Sequence, residues 1–213
     1  MNTIIENTIR NLEKNNIEAL YVESKEDVVP LIEKLVPQGS TVAVGGSVSL
    51  DESGVLSHLR SGRYEFFDRY AQGLSREEVM EVYRKSFGVD AYFCSSNAVT
   101  EEGELYNVDG NANRIGAIAF GPKTVIMVVG VNKIVKNIDE AVKRVKTIAA
   151  PKNCRRLDCR TYCFEKGHCM DMDGGMGKGC DSPQRICRHY LVSAKQAVMG
   201  RIKVIIVNEE LGY

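Results

Sequence analysis

Short apolar runs alternate along the chain with segments of helical periodicity. Apolar positions spaced by three and four residues predict an amphipathic helix over residues 2–15, and Ala19 to Val22 predicts a short strand. Ser24 is expected to cap a second helix that ends before Pro37, and Thr41 to Val44 predicts the next strand. The further predicted strands cover 64–67, 91–95, 123–129, 190–192 and 203–207, and the further predicted helices cover about 49–59, 75–87, 113–120 and 139–149.

This regular succession of strands and helices predicts an α/β fold, with an open, mostly parallel sheet covered by helices on both faces. Residues 100–104 predict a turn between two short strands. The whole chain, residues 1–213, is expected to form a single domain. A cysteine-rich segment, about 152–189, is predicted to be an insertion within that domain, before the last strands.

Charge and hydropathy narrow the class of partner. Lysine plus arginine equals aspartate plus glutamate, 28 each, so no global field favours nucleic acid or an anionic membrane. The longest apolar run, Thr124 to Val131, is too short to cross a bilayer. The first residues lack the basic and apolar pattern of a secretory signal, so a cytoplasmic location is expected.

Six of the seven cysteines lie between Cys154 and Cys187. In a reducing cytosol, clustered cysteines indicate metal ligation more often than disulfides, with free thiols or a redox-active pair as the alternative. Their irregular spacing without any C-x-x-C pair disfavours a zinc ribbon and a ferredoxin-type run. Residues 151–190 hold eight Lys or Arg and five acids, an excess that would offset the charge of a thiolate-ligated centre.

Two polar segments follow predicted strands. Glycines at Gly45 and Gly46, between a strand and a helix, would let the backbone approach an anion at the helix N-terminus, although a plain tight turn explains them equally well. The stretch from Asn97 to Arg114 could line a polar pocket, but Asn and Asp are also common turn residues. Asp109 and Arg114 are the pair that turn chemistry explains least.

Together these residues resemble the LUD domain (lactate-utilisation) family, formerly a domain of unknown function. The similarity extends over nearly the whole chain. The motifs that carry it are Gly45-Gly46-Ser47, Asn97-Ala98-Val99-Thr100-Glu101-Glu102-Gly103, Asn107-Val108-Asp109-Gly110, Asn113-Arg114, Phe120-Gly121-Pro122-Lys123 and Gly130-Val131-Asn132-Lys133-Ile134-Val135. The resemblance implies a fold like that of the sugar-phosphate isomerase and CoA-transferase group.

The resemblance also implies a site for a small anionic organic ligand. It would be formed by the glycine loop and the polar stretch. The implied residues are Gly45, Gly46, Ser47, Ser49, Asn97, Thr100, Glu101, Asn107, Asp109, Gly110, Asn113 and Arg114.

A cysteine-containing subset of the family has a tail that resembles this one, and the chain is similar to a short member of that subset. The implied metal ligands are Cys163, Cys169, Cys180 and Cys187. Ten residues separate Cys169 from Cys180, more than in the subset pattern. This leaves the role of Cys180 open and makes Cys154 and Cys159 candidate substitutes.

Three functions are consistent with these features. The first is a redox protein with an iron–sulfur cluster, four-iron by preference, linked to the oxidation of lactate or a similar organic acid and to electron-transfer protein partners. The second is a module that binds or transfers a phosphate or CoA-type anion, with zinc as a structural metal. The third is a non-catalytic oxidoreductase subunit. Whether the chain is itself an enzyme, and whether it forms a homo-oligomer, stays open.

Overall fold

The computed structural model describes residues 2–213. The strands are Glu18–Val22 (β1), Thr41–Val44 (β2), Glu65–Phe67 (β3), Ala91–Cys94 (β4), Ala98–Thr100 (β5), Leu105–Asp109 (β6), Thr124–Gly130 (β7), Ile134–Val135 (β8), His189–Ser193 (β9) and Ile202–Val207 (β10). The α-helices are Thr3–Lys14 (α1), Val28–Leu35 (α2), Val48–Glu52 (α3), Val55–Leu59 (α4), Arg76–Lys85 (α5), Asn113–Ala119 (α6), Ile138–Arg144 (α7), Ala150–Arg156 (α8) and Tyr162–Lys166 (α9).

Six strands form one parallel sheet in the order β1-β10-β7-β4-β2-β3. The central strand β7 is apolar on both sides: Val125, Met127 and Val129 enter one core, while Ile126 and Val128 enter the other. Helices α1 and α6 cover the first core, and α2, α3 and α4 cover the second. The predicted open α/β fold with helices on both faces is confirmed.

A second sheet, in the order β8-β5-β6-β9, lies beside the first. The sequence predicts most of its strands but not that they form a sheet of their own. β5 and β6 pair antiparallel through the predicted turn. In that turn Gly103 has φ of 83°, and a Cβ there would lie 2.3 Å from the carbonyl carbon of Asn11, so only glycine fits against α1.

Two predicted helices differ from the structure. The helix expected over about 49–59 is divided into α3 and α4 because Gly54 has φ of 72°, which ends the first helix. The helix expected over 139–149 continues to Arg156 through a π-helical turn at Val145–Ala149. Pro151 has no N–H to donate and its ring crowds an earlier carbonyl, which favours the wider turn before it.

The predicted cysteine-rich insertion begins inside this long helix. Cys154 lies on α8 and Cys163 on α9, and between residues 167 and 188 the described chain forms turns and bends without a helix or strand. Met176 and Tyr190 pack against the core of the second sheet. The segment is therefore attached to the second sheet. No helix within residues 2–213 has the length and apolar character needed to span a membrane.

Candidate functional site

A cavity of about 600 Å³ opens at the carboxyl ends of the parallel strands. Gly46 and Ser47 follow β2, Arg69 follows β3, Asn97 follows β4 and Lys133 follows β7, and all of them line it. Open parallel sheets bind ligands at this edge, and the volume lies in the range of small-molecule sites. The cavity is therefore the first candidate for a functional site.

The glycine loop places its two glycines differently. A Cβ on Gly45 would lie 2.9 Å from the Tyr92 hydroxyl oxygen and 3.1 Å from Arg114 Cδ, so this glycine is required by packing and does not line the cavity. A Cβ on Gly46 would lie 3.8 Å from Arg156 Nη2 and 3.9 Å from Arg69 Nη1. A side chain would therefore fit at Gly46, and the position is notable for the two guanidinium groups beside it.

The helix after this loop is too short to be the source of positive potential that the sequence suggests. Ser47 does cap α3, accepting a hydrogen bond from the Leu50 N–H at 3.3 Å, but α3 has five residues and therefore a small dipole. Positive charge beside Gly46 comes from the side chains of Arg69 and Arg156.

The polar stretch is organised around Arg114, which is buried. Its guanidinium donates to Asp109 Oδ1 at 3.0 Å, Asn97 Oδ1 at 2.7 Å and Asn107 Oδ1 at 2.5 Å. It also donates to the carbonyl oxygens of Ser95 and Val108, both at 2.9 Å. Burial is the largest single influence and opposes the charge of this guanidinium, but Asp109, Cys94 and Tyr92 together outweigh it, and the pKa of Arg114 is raised. Arg114 therefore holds the cavity wall together.

The structure brings most, but not all, of the predicted ligand residues to the cavity. Those that line it are Gly46, Ser47, Asn97, Asp109, Gly110, Asn113 and Arg114. Ser49 and Asn107 are buried behind the wall. Thr100 and Glu101 lie elsewhere, because the β5–β6 hairpin leads away: the Thr100 hydroxyl donates to Glu104, and the Glu101 carbonyl accepts from Asn11 Nδ2 at 2.7 Å.

Lys133 lines the cavity and is absent from the predicted set. Lys133 is only 3% exposed, and its Nζ donates to Ser49 Oγ at 2.8 Å and to Ser95 Oγ at 3.1 Å. Burial, followed by Arg144 and Arg114, lowers its pKa to about 7. A charged residue just after the apolar β7, inside the motif Gly130 to Val135, was the sequence signal for it.

Four arginines on the cavity wall have no carboxylate partner within ion-pair distance in the described chain: Arg69, Arg156, Arg185 and Arg188. The two acids on the wall are already paired, Asp109 with Arg114 and Asp158 with Arg160. The cavity therefore carries an excess of positive charge, although the chain as a whole is neutral.

Arg69 is held by aromatic rings instead of by an acid. Its guanidinium lies 4.5 Å from the ring centre of Tyr83 and 5.1 Å from that of Tyr70. Its Nε is buried without a hydrogen-bond partner in the described chain. A buried donor without an acceptor is costly, so this Nε lowers the stability of Arg69 in its present position.

A smaller cavity of about 30 Å³ adjoins the first and is lined by all four predicted metal ligands, Cys163, Cys169, Cys180 and Cys187. Cys187 also lines the large cavity. Within residues 2–213, however, no three His, Cys, Asp or Glu side chains stand close enough together to hold one metal ion. The structure thus places the predicted ligands around one space, with side chains that do not converge on one point.

The two candidate substitutes for Cys180, Cys154 and Cys159, differ in position. The sulfur of Cys154 lies 3.7 Å from that of Cys163, and this contact lowers the pKa of Cys163 to about 6. Cys159 lines the large cavity and not the small one. Of the two, Cys154 is therefore the better placed to join the four.

Comparisons with known proteins agree with this architecture. The crystal structure of a DUF162 family protein from Deinococcus radiodurans is similar over 96% of each chain, with a TM-score of 0.52 and 16% sequence identity, which shows a shared fold. Comparison with proteins of curated function gives no significant match. The family model of the LUD domain matches residues 5–207. The chain therefore belongs to the LUD domain family, as its motifs predict.

Proposed function

We propose that the chain binds a small organic acid in the arginine-lined cavity and takes part in the oxidation of lactate or a similar acid through an iron–sulfur cluster. The observation that carries this proposal is the position of Cys187. Because Cys187 lines both cavities, a centre held by the cysteines would lie next to the bound acid.

The charge distribution supports an anionic ligand. Arg69 and Arg156 flank Gly46, where a carboxylate can meet two guanidinium groups at once. Arginine binds carboxylates through paired N–H donors, and the buried Nε of Arg69 still needs an acceptor. The Arg69 atom near Gly46 is Nη1, 3.9 Å from the position of a Gly46 Cβ, and a carboxylate bound there would meet this atom.

The cysteines suit the proposed cofactor in chemistry and line one space, although their side chains do not converge on one point in this structure. Four thiols surround one space, and thiolates are the usual ligands of iron–sulfur clusters. Lys146 and Lys178 line the same space, and Arg185 Nε donates to Cys187 Sγ at 3.3 Å, so positive charge is at hand to balance thiolates. When bound, the cluster would carry one electron at a time to or from a partner protein. Its ligands would come from the irregular segment 167–188 and α9.

Replacing Arg69 or Arg156 with alanine is expected to weaken lactate binding at least tenfold, because a hydrogen bond between charged groups contributes about 1.5–3 kcal/mol. Isothermal titration calorimetry measures the dissociation constant of lactate for each variant. Arg84→Ala is the matched control, since Arg84 is exposed, pairs with Glu81 and does not line the cavity. Binding that is unchanged in both cavity variants would rule out this site.

Anaerobically purified protein is expected to contain iron and sulfide and to lose absorbance on reduction with dithionite. Cys163→Ala and Cys187→Ala should lose most of the iron, because each removes a ligand. Cys94→Ala is the control, since Cys94 is buried in β4 away from the segment. One equivalent of zinc, with no spectral change in dithionite, would instead favour the structural-zinc alternative with an anion-binding or transferase-like function.

A further inference from the structure

The surroundings of Lys133 fit a neutral amine better than an ammonium group. The Ser49 hydroxyl donates to the Leu211 carbonyl at 3.2 Å and the Ser95 hydroxyl to the Ser96 carbonyl at 3.4 Å, so each serine oxygen is left to accept from Lys133 Nζ. Two acceptors match the two N–H groups of a neutral amine. In the described chain, the third N–H of an ammonium group would have no acceptor.

The charges around Lys133 act in the same direction. Arg114 and Arg144 oppose a positive charge on its Nζ, while Glu52 and Cys94 favour one more weakly. Both arginines are fixed in place: Arg144 donates to the Asn97 carbonyl at 2.7 Å and to the Asn132 carbonyl at 3.2 Å, and Arg114 is held by Asp109. Desolvation and neighbouring cations are what turn a lysine into a nucleophile.

We propose that Lys133 is a nucleophile that forms an imine with the carbonyl carbon of a 2-oxo acid bound in the large cavity. This rests on the proposed function, because the arginines that bind the carboxylate hold the ligand, and a 2-oxo acid is what oxidation of a 2-hydroxy acid produces. The ligand class is thus a 2-oxo acid, and the residue that reacts with it is Lys133.

The reaction balances without an external oxidant or reductant. The lone pair of Nζ attacks the carbonyl carbon, a C–N bond forms, and the carbonyl oxygen takes up two protons and leaves as water. In net terms both protons come from the attacking amine, passed directly or through solvent, which gives a neutral imine; one proton taken up from solvent then gives the iminium form.

The test is reductive trapping. The full-length protein is incubated with pyruvate, 2-oxobutyrate or 2-oxoglutarate and cyanoborohydride, and the site is found by peptide mass spectrometry. With pyruvate the expected adduct is one per chain at Lys133, with the added mass of pyruvic acid less one oxygen atom. Lys133→Met should lose it, whereas Lys203→Met should keep it, since Lys203 pairs with Glu18. Mapping on the unsubstituted protein decides the result even where Lys133→Met fails to fold.

Calorimetry on the same samples separates the two proposals. An adduct at Lys133 together with binding supports both. Binding of a 2-oxo acid without an adduct at Lys133, or with adducts spread over exposed lysines, overturns the imine and leaves the anion site standing. Absence of binding by all three acids, measured directly, overturns the anion site and the imine with it.

Discussion

Replacing Lys133 with methionine is expected to stabilise the folded protein at neutral pH, and the advantage should shrink as the pH rises. Burial lowers the pKa of Lys133 from its ordinary value of 10.5 to about 7. Between these values the unfolded chain holds a proton that the folded chain lacks, so the stability of the wild-type protein rises with pH. For this single group the rise is roughly 3 kcal/mol between pH 7 and pH 10.

The measurement is urea denaturation of both proteins at a series of pH values, compared as a difference so that other titrating groups cancel. Lys34→Met, at an exposed position of α2, is the control and should differ from the wild type by less than about 0.5 kcal/mol at each pH. A difference between wild type and Lys133→Met that stays constant with pH would show that the Lys133 amine is not desolvated in solution.

Removing the carboxylate of Asp109 is expected to cost about 3–5 kcal/mol of folding stability. Asp109 accepts from Arg114 Nε at 3.0 Å and from the Ile115 N–H at 2.9 Å, and both members of the pair are 9% exposed in their side chains. Asp109→Ala leaves a buried guanidinium without its counter-charge, which is far more costly than losing an exposed pair. Asp109→Asn keeps the shape and isolates the charge, so its cost should lie between those of the wild type and Asp109→Ala.

The chain contains a matched control for this prediction. Asp158 and Arg160 also form an Asp–Arg pair, at 2.9 Å, but their side chains are 70% and 66% exposed. Asp158→Ala should therefore cost less than about 1 kcal/mol in the same denaturation experiment. Equal costs for Asp109→Ala and Asp158→Ala would show that burial does not govern the strength of the Arg114 pair.

The main sheet was predictable because its signal is local. A strand buried on both faces reads as an apolar run, as in β7, and the alternation with helices then requires a parallel sheet. The second sheet was predictable only in part: the hairpin of β5 and β6 and the strand β9 were predicted, but β8 has two residues, too few for a periodic pattern, and nothing local indicates that these strands form a sheet of their own. The division of one helix at Gly54 depends on a left-handed backbone conformation that glycine permits but does not require.

The candidate site was partly predictable for the same reason. Gly46 and Asn97 line the same cavity because parallel strands end at one edge, which topology alone implies. The same topology argument extends to Arg69 and Lys133, which also follow parallel strands, but their lack of a counter-charge could not be predicted from the sequence. Whether a charged side chain lacks a counter-charge depends on the whole fold and not on its neighbours in sequence. The four cysteines were predicted as a group from the resemblance of their segment to a subset of the family. The structure places them around one space.

The π-helical turn at Val145–Ala149 has a consequence for how the two cavities work together. Val145 and Ala150 line both spaces, while Arg156, further along the same helix, reaches only the large one. The wider turn changes the rotation of every later residue on this helix. This helix therefore forms part of the wall of both cavities. If a ligand in one cavity shifts this helix, binding in the other cavity changes, and thermodynamic linkage then makes the effect equal in both directions.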